Sequence, residues 1–159
     1  MVADPPSRLS PDHMRNLLHA LGSEMDLRFA ALRKGTGYEH VRPSDVRVFG
    51  QTAIGVSTIS DIARALRISR QAAHMSARRL QTLGVIEIAA AANKRDRILR
   101  LTEKGREAAG MAQRHTATVD DEFAEVIGSD GVETLRKTLK ILLQKARADN
   151  ERDGLRLLE

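Results

Sequence analysis

Residues Thr58 to Leu83 read TISDIARALRISRQAAHMSARRLQTL, and they carry the signals of two consecutive helices joined by a short turn. Thr58 is placed to cap the first helix, whose apolar residues recur at helical spacing. Ser69 is placed to cap the second helix, which continues to Leu83 and is ended by Gly84. This arrangement is typical of a helix-turn-helix.

The second of these helices has two different faces. A stripe of small side chains (Ala73, Ser76 and Ala77) with Leu80 allows close packing on the preceding helix. The opposite face is polar and basic and consists of Arg70, Gln71, His74, Met75 and Arg78. A rigid element is therefore expected to present long polar side chains outward.

Two short runs of β-branched and apolar residues follow this helix. They are VIEI at 85–88 and ILRL at 98–101, and they predict a β-hairpin. Its tip contains Lys94, Arg95 and Arg97. A helix-turn-helix followed by a basic hairpin predicts a winged helix in a mainly α-helical chain.

The flanking segments predict longer helices. An apolar stripe runs from Pro11 to about Lys34, and Pro43 fits the first turn of a further helix. After Thr102, a long helix is expected to break at Gly128 and to be followed by a last, leucine-rich helix. We expect a second copy of the chain to cover these apolar stripes, the alternative being that they fold back on their own domain. The predicted organisation is a disordered arm (1–10), an N-terminal dimerisation helix and linker (11–42), a winged helix-turn-helix (43–106), C-terminal dimerisation helices (107–148) and a tail (149–159).

Positive charge is concentrated in the middle of the chain. The whole sequence of 159 residues carries a net charge of +5, but the segment from Ala63 to Arg100 has nine basic and two acidic residues and a local charge of +7. The remainder is therefore slightly negative. A basic region confined to the predicted winged helix indicates a surface for phosphate groups.

Several other classes of protein are disfavoured by the composition. The chain has no cysteine, which excludes a disulfide scaffold and thiol chemistry. It has no apolar run of membrane-spanning length, and its start lacks the pattern of a signal peptide, so we expect a cytoplasmic location without membrane association. No phosphate-binding loop, HExxH motif or nucleophile elbow is present, and the five histidines lack a ligand spacing, so neither an enzyme nor a metal or other cofactor is expected.

The order of these segments resembles the MarR family of bacterial transcription regulators. The resemblance extends over roughly residues 37 to 146 and is carried by RPSDVRVF (42–49), SDIARAL (60–66), SRQ (69–71), LQTLGVIE (80–87) and LTEKG (101–105). It implies a homodimer that binds double-stranded DNA at a pseudo-palindromic operator, with the second helix of each subunit in a major groove. It also implies a repressor that responds to a small-molecule effector, whose identity the sequence does not give.

The resemblance and the chemistry of the side chains together predict the DNA-binding residues. Arginine can bind guanine bidentately, glutamine can bind adenine, and helix N-terminal amides favour phosphate. We expect Arg70, Gln71, His74 and Arg78 at base edges or nearby phosphates, with Met75 on the same surface and Ser69 and Arg79 on phosphate. In the wing we expect Lys94, Arg95 and Arg97 to contact phosphate or the minor groove. The alternatives are a solvated helix face and ordinary solubilising charge on the hairpin.

Some positions depart from the family pattern. The wing of the family commonly has an acidic residue followed by two arginines; here one register places Asn93, Lys94 and Arg95 there, and another matches Arg95, Asp96 and Arg97. Met75 stands where arginine is common, and Arg67 stands where the turn often has glycine. Two other functions stay open: a sequence-tolerant architectural DNA-binding protein, and a helical protein-interaction module with an acidic partner.

Overall fold

The computed structural model describes residues 13–90 and 96–154, which form two units that divide after His40. The first unit contains helix α1 (Met14–Leu32). His13 caps the start of this helix, and its Nδ1 atom accepts a hydrogen bond from the N–H of Arg15. No residue of α1 is buried, and its exposed apolar side chains are Met14, Leu17, Leu18, Leu21 and Leu27. The predicted disordered arm at 1–10 lies outside the described residues.

The second unit contains the remaining elements. In chain order they are α2 (Pro43–Ala53), α3 (Ile59–Leu66), α4 (Arg70–Thr82), β1 (Ile86–Ala90), β2 (Arg97–Leu101) and α5 (Glu103–Arg152). Its core is formed by side chains from every one of these elements, among them Val48, Ile62, Ala77, Leu80, Ile86, Leu99 and Val119. The prediction of a mainly α-helical winged helix with a small hairpin is confirmed.

Local capping determines where the helices of this unit begin. The side-chain oxygens of Thr58, Ser69 and Thr102 accept hydrogen bonds from N–H groups in the first turns of α3, α4 and α5, as predicted. Gly84 has a φ of 74° directly after α4, a conformation that suits a helix terminator. The turn between α3 and α4 depends on Arg67, which adopts the left-handed conformation at φ 52° and ψ 47° without being a glycine.

The two strands form an antiparallel hairpin that is attached to the helix-turn-helix. Ile88 pairs with Leu99 and Ala90 pairs with Arg97. The N–H of Leu99 also donates to the carbonyl of Ser57, just before α3, at 2.8 Å. The first strand is longer than the predicted run at 85–88, because it extends through two alanines that have poor strand propensity but have partners on β2.

Helix α5 is interrupted at Gly128, whose φ of 75° and ψ of 158° are not helical. The predicted break is therefore present, and the helix then continues to Arg152, four residues beyond the predicted boundary at 148. Arg136 donates a hydrogen bond to Asp120 across the break at 2.7 Å. Exposed apolar side chains cluster in the later part of α5 and include Val126, Leu135, Leu139, Ile141, Leu142 and Leu143. None of the helices in the described ranges combines the length and apolar character needed to cross a lipid bilayer.

Candidate nucleic-acid interface

Helix α4 is held on the core by its small side chains. Ala73, Ser76, Ala77 and Leu80 are buried, as the sequence predicts. With no bulky residue except the leucine on this face, the helix lies close to its neighbours. This packing fixes the orientation of the helix backbone, and therefore the direction in which the long side chains on its other faces extend.

The outward residues of α4 include most of the predicted DNA-binding positions. Arg70, Gln71, Met75 and Arg78 are exposed, and His74 is half-buried. Ser69 caps the helix, and the N–H groups of its first turn make that end electropositive. The structure thus presents a contiguous polar and cationic surface along the helix, which is the requirement for groove contacts.

Arg79 differs from the other arginines of α4. Its Nε and Nη2 atoms donate to the two carboxylate oxygens of Asp45 on α2 at 2.9 and 2.7 Å, and Nη2 also donates to Ser76 at 3.0 Å. Asp45 is almost fully buried, and only about a third of the Arg79 side chain is exposed. This geometry favours a structural role for Arg79, linking α2 to α4, over the predicted phosphate contact.

The Asp45 carboxylate is kept charged by this pairing. Its burial acts to raise its pKa, but hydrogen bonds from Arg79 and Ser76 and the positive charge of Arg79 outweigh that effect. The pKa of Asp45 therefore lies below its usual range. A charged pair of this kind is a fixed element of the scaffold at neutral pH.

A second carboxylate, Asp96, connects the hairpin to the start of α4. Its Oδ1 atom accepts a hydrogen bond from the N–H of Arg97 at 2.8 Å and lies 3.4 Å from Nη2 of Arg70. Burial acts to raise the pKa of Asp96, but hydrogen bonds from Ser60 and Arg97 and the charge of Arg70 hold it below its usual range. Arg70 keeps more than half of its side-chain surface exposed, so it is oriented by Asp96 and still accessible.

The structure describes both strands of the wing and, from its tip, Asp96 and Arg97. Arg97 is exposed at the start of β2, whereas Lys94 and Arg95 lie outside the described residues. Of the described residues of the hairpin, Asp96 is the carboxylate that contacts Arg70 of α4. Both wing registers, with Asn93, Lys94 and Arg95 or with Arg95, Asp96 and Arg97, stay open. The predicted contacts of Lys94 and Arg95 stay predictions.

Comparison with known proteins gives a consistent assignment of fold. No family model matches the sequence, and no curated protein matches it. Solved structures do match: a transcriptional regulator (MarR family) from Rhodococcus sp. RHA1 is 17% identical with a TM-score of 0.73, covering 86% of this chain and 96% of that chain. This chain has a MarR-like fold. Two further structures have the same fold. Wild-type MarR from E. coli in its apo form is 22% identical with a TM-score of 0.62, and the match covers 86% of this chain and 99% of that chain. Streptococcus pneumoniae FabT in complex with DNA is 17% identical with a TM-score of 0.68, and the match covers 84% of this chain and 94% of that chain.

Sequence reasoning did not predict the pairings of the two carboxylates that organise this MarR-like surface, although Asp96 was named in one of the two wing registers. Asp45 stands 34 positions from Arg79 and Asp96 stands 26 positions from Arg70, so no local spacing could indicate either pair. For Asp96 the sequence offered two signals, its position as a single acid within the basic region and its place between Arg95 and Arg97 in one wing register. Asp45 lies outside that region and had no such signal. Within residues 13–90 and 96–154, no three histidine or carboxylate side chains come together as a metal-binding group.

Proposed function

We propose that this chain is a transcription regulator that binds double-stranded DNA in a sequence-specific manner and has no enzymatic activity. The observation that carries the proposal is the exposed face of α4, where Arg70, Gln71 and Arg78 extend from a helix packed firmly on the core. The basic hairpin lies beside this helix and is linked to it through Asp96. A rigid helix with guanine- and adenine-binding side chains fits a major groove.

The proposal includes a homodimer on a pseudo-palindromic operator. Exposed leucines and isoleucines on α1, and separately on the later part of α5, form apolar surfaces that a second copy would cover. Dimeric helix-turn-helix proteins bind two half-sites about one helical turn apart, so an inverted repeat is expected. FabT, which shares the fold, has a structure in complex with DNA.

The proposal also includes repression of nearby genes and relief by a small-molecule effector. An effector can act only through different affinities for two arrangements of the subunits. Residues for such a ligand are not assigned. The predicted effect of an effector is a change in DNA affinity without a change in the preferred sequence.

Selection of bound fragments from genomic DNA tests the proposed function. We expect an inverted repeat to be enriched at moderate salt concentration, with half-sites about 10 base pairs apart. Binding without enrichment would instead favour an architectural protein. No mobility shift even at low salt would contradict DNA binding and favour a protein-interaction module with an acidic partner.

Substitution on α4 then tests the assigned residues. Arg70→Ala is expected to lower the specific affinity by about 1 to 3 kcal/mol while leaving the fold intact. Because Arg70 also contacts Asp96, Gln71→Ala provides a second variant in which that contact is kept. Lys140→Ala, on an exposed position of α5, is the matched control for loss of one charge. Unchanged affinity and unchanged sequence preference in both α4 variants would remove the assignment.

A further inference from the structure

A cleft of about 180 Å³ lies between α4 and the β-hairpin. It is lined by His74, Arg78, Gln81, Ile88 and Arg97. Four of these five side chains carry N–H groups that can donate hydrogen bonds, and two of them are permanently cationic. The cleft therefore concentrates donors and positive charge on one small volume.

Secondary structure explains why these residues meet. His74, Arg78 and Gln81 are spaced by four and three positions, so they follow one ridge of α4. On the hairpin, Ile88 pairs with Leu99, and Arg97 lies two positions before Leu99 on the same face of β2. That face is the one directed toward the core, since Leu99 is buried. The ridge and this face form the two walls of the cleft.

The nearby acidic groups are directed elsewhere. Glu87 pairs with Arg100 on the opposite face of the hairpin. Asp96 is held at the end of the hairpin by Arg70, by Ser60 and by the N–H of Arg97. No carboxylate of the described residues lines the cleft. The positive charge of Arg78 and Arg97 is therefore not compensated from within its walls.

We propose that this cleft is an oxyanion site that binds one phosphate of the DNA backbone. Two guanidinium groups with imidazole and amide donors match the several acceptor oxygens of a phosphoryl group, whereas a single apolar residue, Ile88, offers little to an organic ligand. The proposal rests on the proposed DNA binding and makes it more specific. It assigns His74, Arg78 and Gln81 to one backbone phosphate. For His74 and Arg78 this selects the phosphate from the two alternatives expected, base edges or nearby phosphates, and it adds Gln81 to the interface.

The first test uses the duplex recovered by fragment selection. Each backbone phosphate is replaced in turn by a neutral methylphosphonate, and the affinity is measured for the unsubstituted protein and for Arg97→Gln. We expect one phosphate in each half-site whose neutralisation lowers the affinity about tenfold, the loss of a charge-assisted hydrogen bond. In Arg97→Gln the same neutralisation should have little further effect.

Arg100→Gln is the matched control. It removes one positive charge from the same strand but from the opposite face of the hairpin. Both variants are expected to lose some affinity for any DNA and to show a shallower salt dependence. Only Arg97→Gln should lose its sensitivity to the single phosphate. Equal melting temperatures would establish that both variants are folded.

The second test separates a DNA phosphate from a small free anion. Inorganic phosphate is titrated at constant ionic strength while the imidazole signals of His74 and His115 are followed by NMR. We expect a saturable shift of the His74 signal alone, present in Arg100→Gln and lost in Arg97→Gln. His115 lies on α5 and reports general effects of the salt.

The outcomes distinguish the two proposals. Coupling between Arg97 and one phosphate, together with the shift of His74, supports the cleft as a DNA phosphate site. Intact duplex binding with neither coupling nor a shift overturns the cleft and leaves the proposed function standing. A saturable His74 shift with no duplex binding, or with no coupled phosphate, overturns the DNA occupant and identifies a site for a free anion.

Discussion

The ion pair between Asp45 and Arg79 is predicted to be a main support of α4. The carboxylate is nearly fully buried, and both of its oxygens accept hydrogen bonds from one guanidinium, the shortest at 2.7 and 2.9 Å. Asp45→Asn keeps the size of the side chain but removes its charge. Arg79 would then be left with a neutral amide partner. Its charge would stay poorly hydrated, because only about a third of its side chain is exposed to water.

The expected loss of stability follows from this partial burial. Removing one partner of a buried ion pair costs about 3 to 5 kcal/mol, because the other charge stays desolvated. Because part of Arg79 remains hydrated, we expect the loss of stability in Asp45→Asn to lie at the lower end of this range, at about 3 kcal/mol. For a chain of this size, that corresponds to a decrease in Tm of about 6 to 12 °C.

Urea denaturation at fixed protein concentration measures the effect, since the concentration influences the stability of any oligomer. Asp61→Asn is the matched control, because Asp61 pairs with Arg64 at the same 2.7 Å but on an exposed surface. We expect a much smaller change there. Equal changes in free energy of unfolding for the two variants would refute the structural role of the buried pair.

The dependence on pH gives an independent measurement. Because the pKa of Asp45 is lowered in the folded state, the pair stabilises the protein fully above the unfolded value of about 3.9. This stabilisation is lost as the pH falls through the folded pKa. Asp45→Asn should therefore reduce the acid dependence of the free energy of unfolding below about pH 4. An unchanged acid dependence would mean that other carboxylates dominate it.

Three glycine substitutions test the packing and the interruption of α5. Gly105→Ala would place a Cβ atom 1.9 Å from the carbonyl oxygen of Val85, so we expect the free energy of unfolding to fall by about 3 kcal/mol, at the upper end of overpacking costs. Gly110→Ala, whose Cβ atom meets only Arg114 at 3.7 Å, should raise the free energy of unfolding by about 0.5 to 1 kcal/mol. Similar effects of the two substitutions in thermal denaturation would contradict the close approach of Gly105 to Val85. Gly128→Ala has space for its methyl group but an unfavourable backbone conformation. It should lower the free energy of unfolding by about 1 to 3 kcal/mol or, if the helix straightens, increase the helical circular dichroism signal at 222 nm. An unchanged stability together with an unchanged signal would be inconsistent with the observed break.

Capping and helix termination could be predicted because they are local. The hydroxyl groups of Thr58, Ser69 and Thr102 bond to N–H groups three residues ahead, a geometry that depends on nothing outside the first turn. Gly84 and Gly128 end or interrupt helices through their own backbone freedom. These five positions were sufficient to place the starts of α3, α4 and α5, the end of α4 and the interruption of α5.

The assignment of individual arginines could not be predicted in the same way. Arg78 and Arg79 are neighbours in the sequence and have the same charge, but one lines the cleft beside the hairpin and the other is bound by Asp45 on α2. The difference arises from the 100° rotation between successive residues of a helix, which directs the two side chains toward different neighbours. Only the positions of α2 and the hairpin around α4 distinguish them.

The two carboxylates also change how the charge of the winged helix should be interpreted. Arg79 could reach a phosphate only by leaving Asp45, whose burial makes an uncompensated charge costly. Arg70 is less restricted, because it lies 3.4 Å from Asp96 with most of its side chain in solvent, and because Asp96, although also buried, accepts hydrogen bonds from Ser60 and from the N–H of Arg97 as well. A phosphate that approaches Arg70 therefore meets an arginine already oriented toward the surface, whereas a phosphate that approaches Arg79 must compete with a fixed bidentate pair. The local charge of +7 thus overestimates the number of phosphates that the surface can neutralise, and the salt dependence of DNA binding should reflect the accessible cations instead of the total.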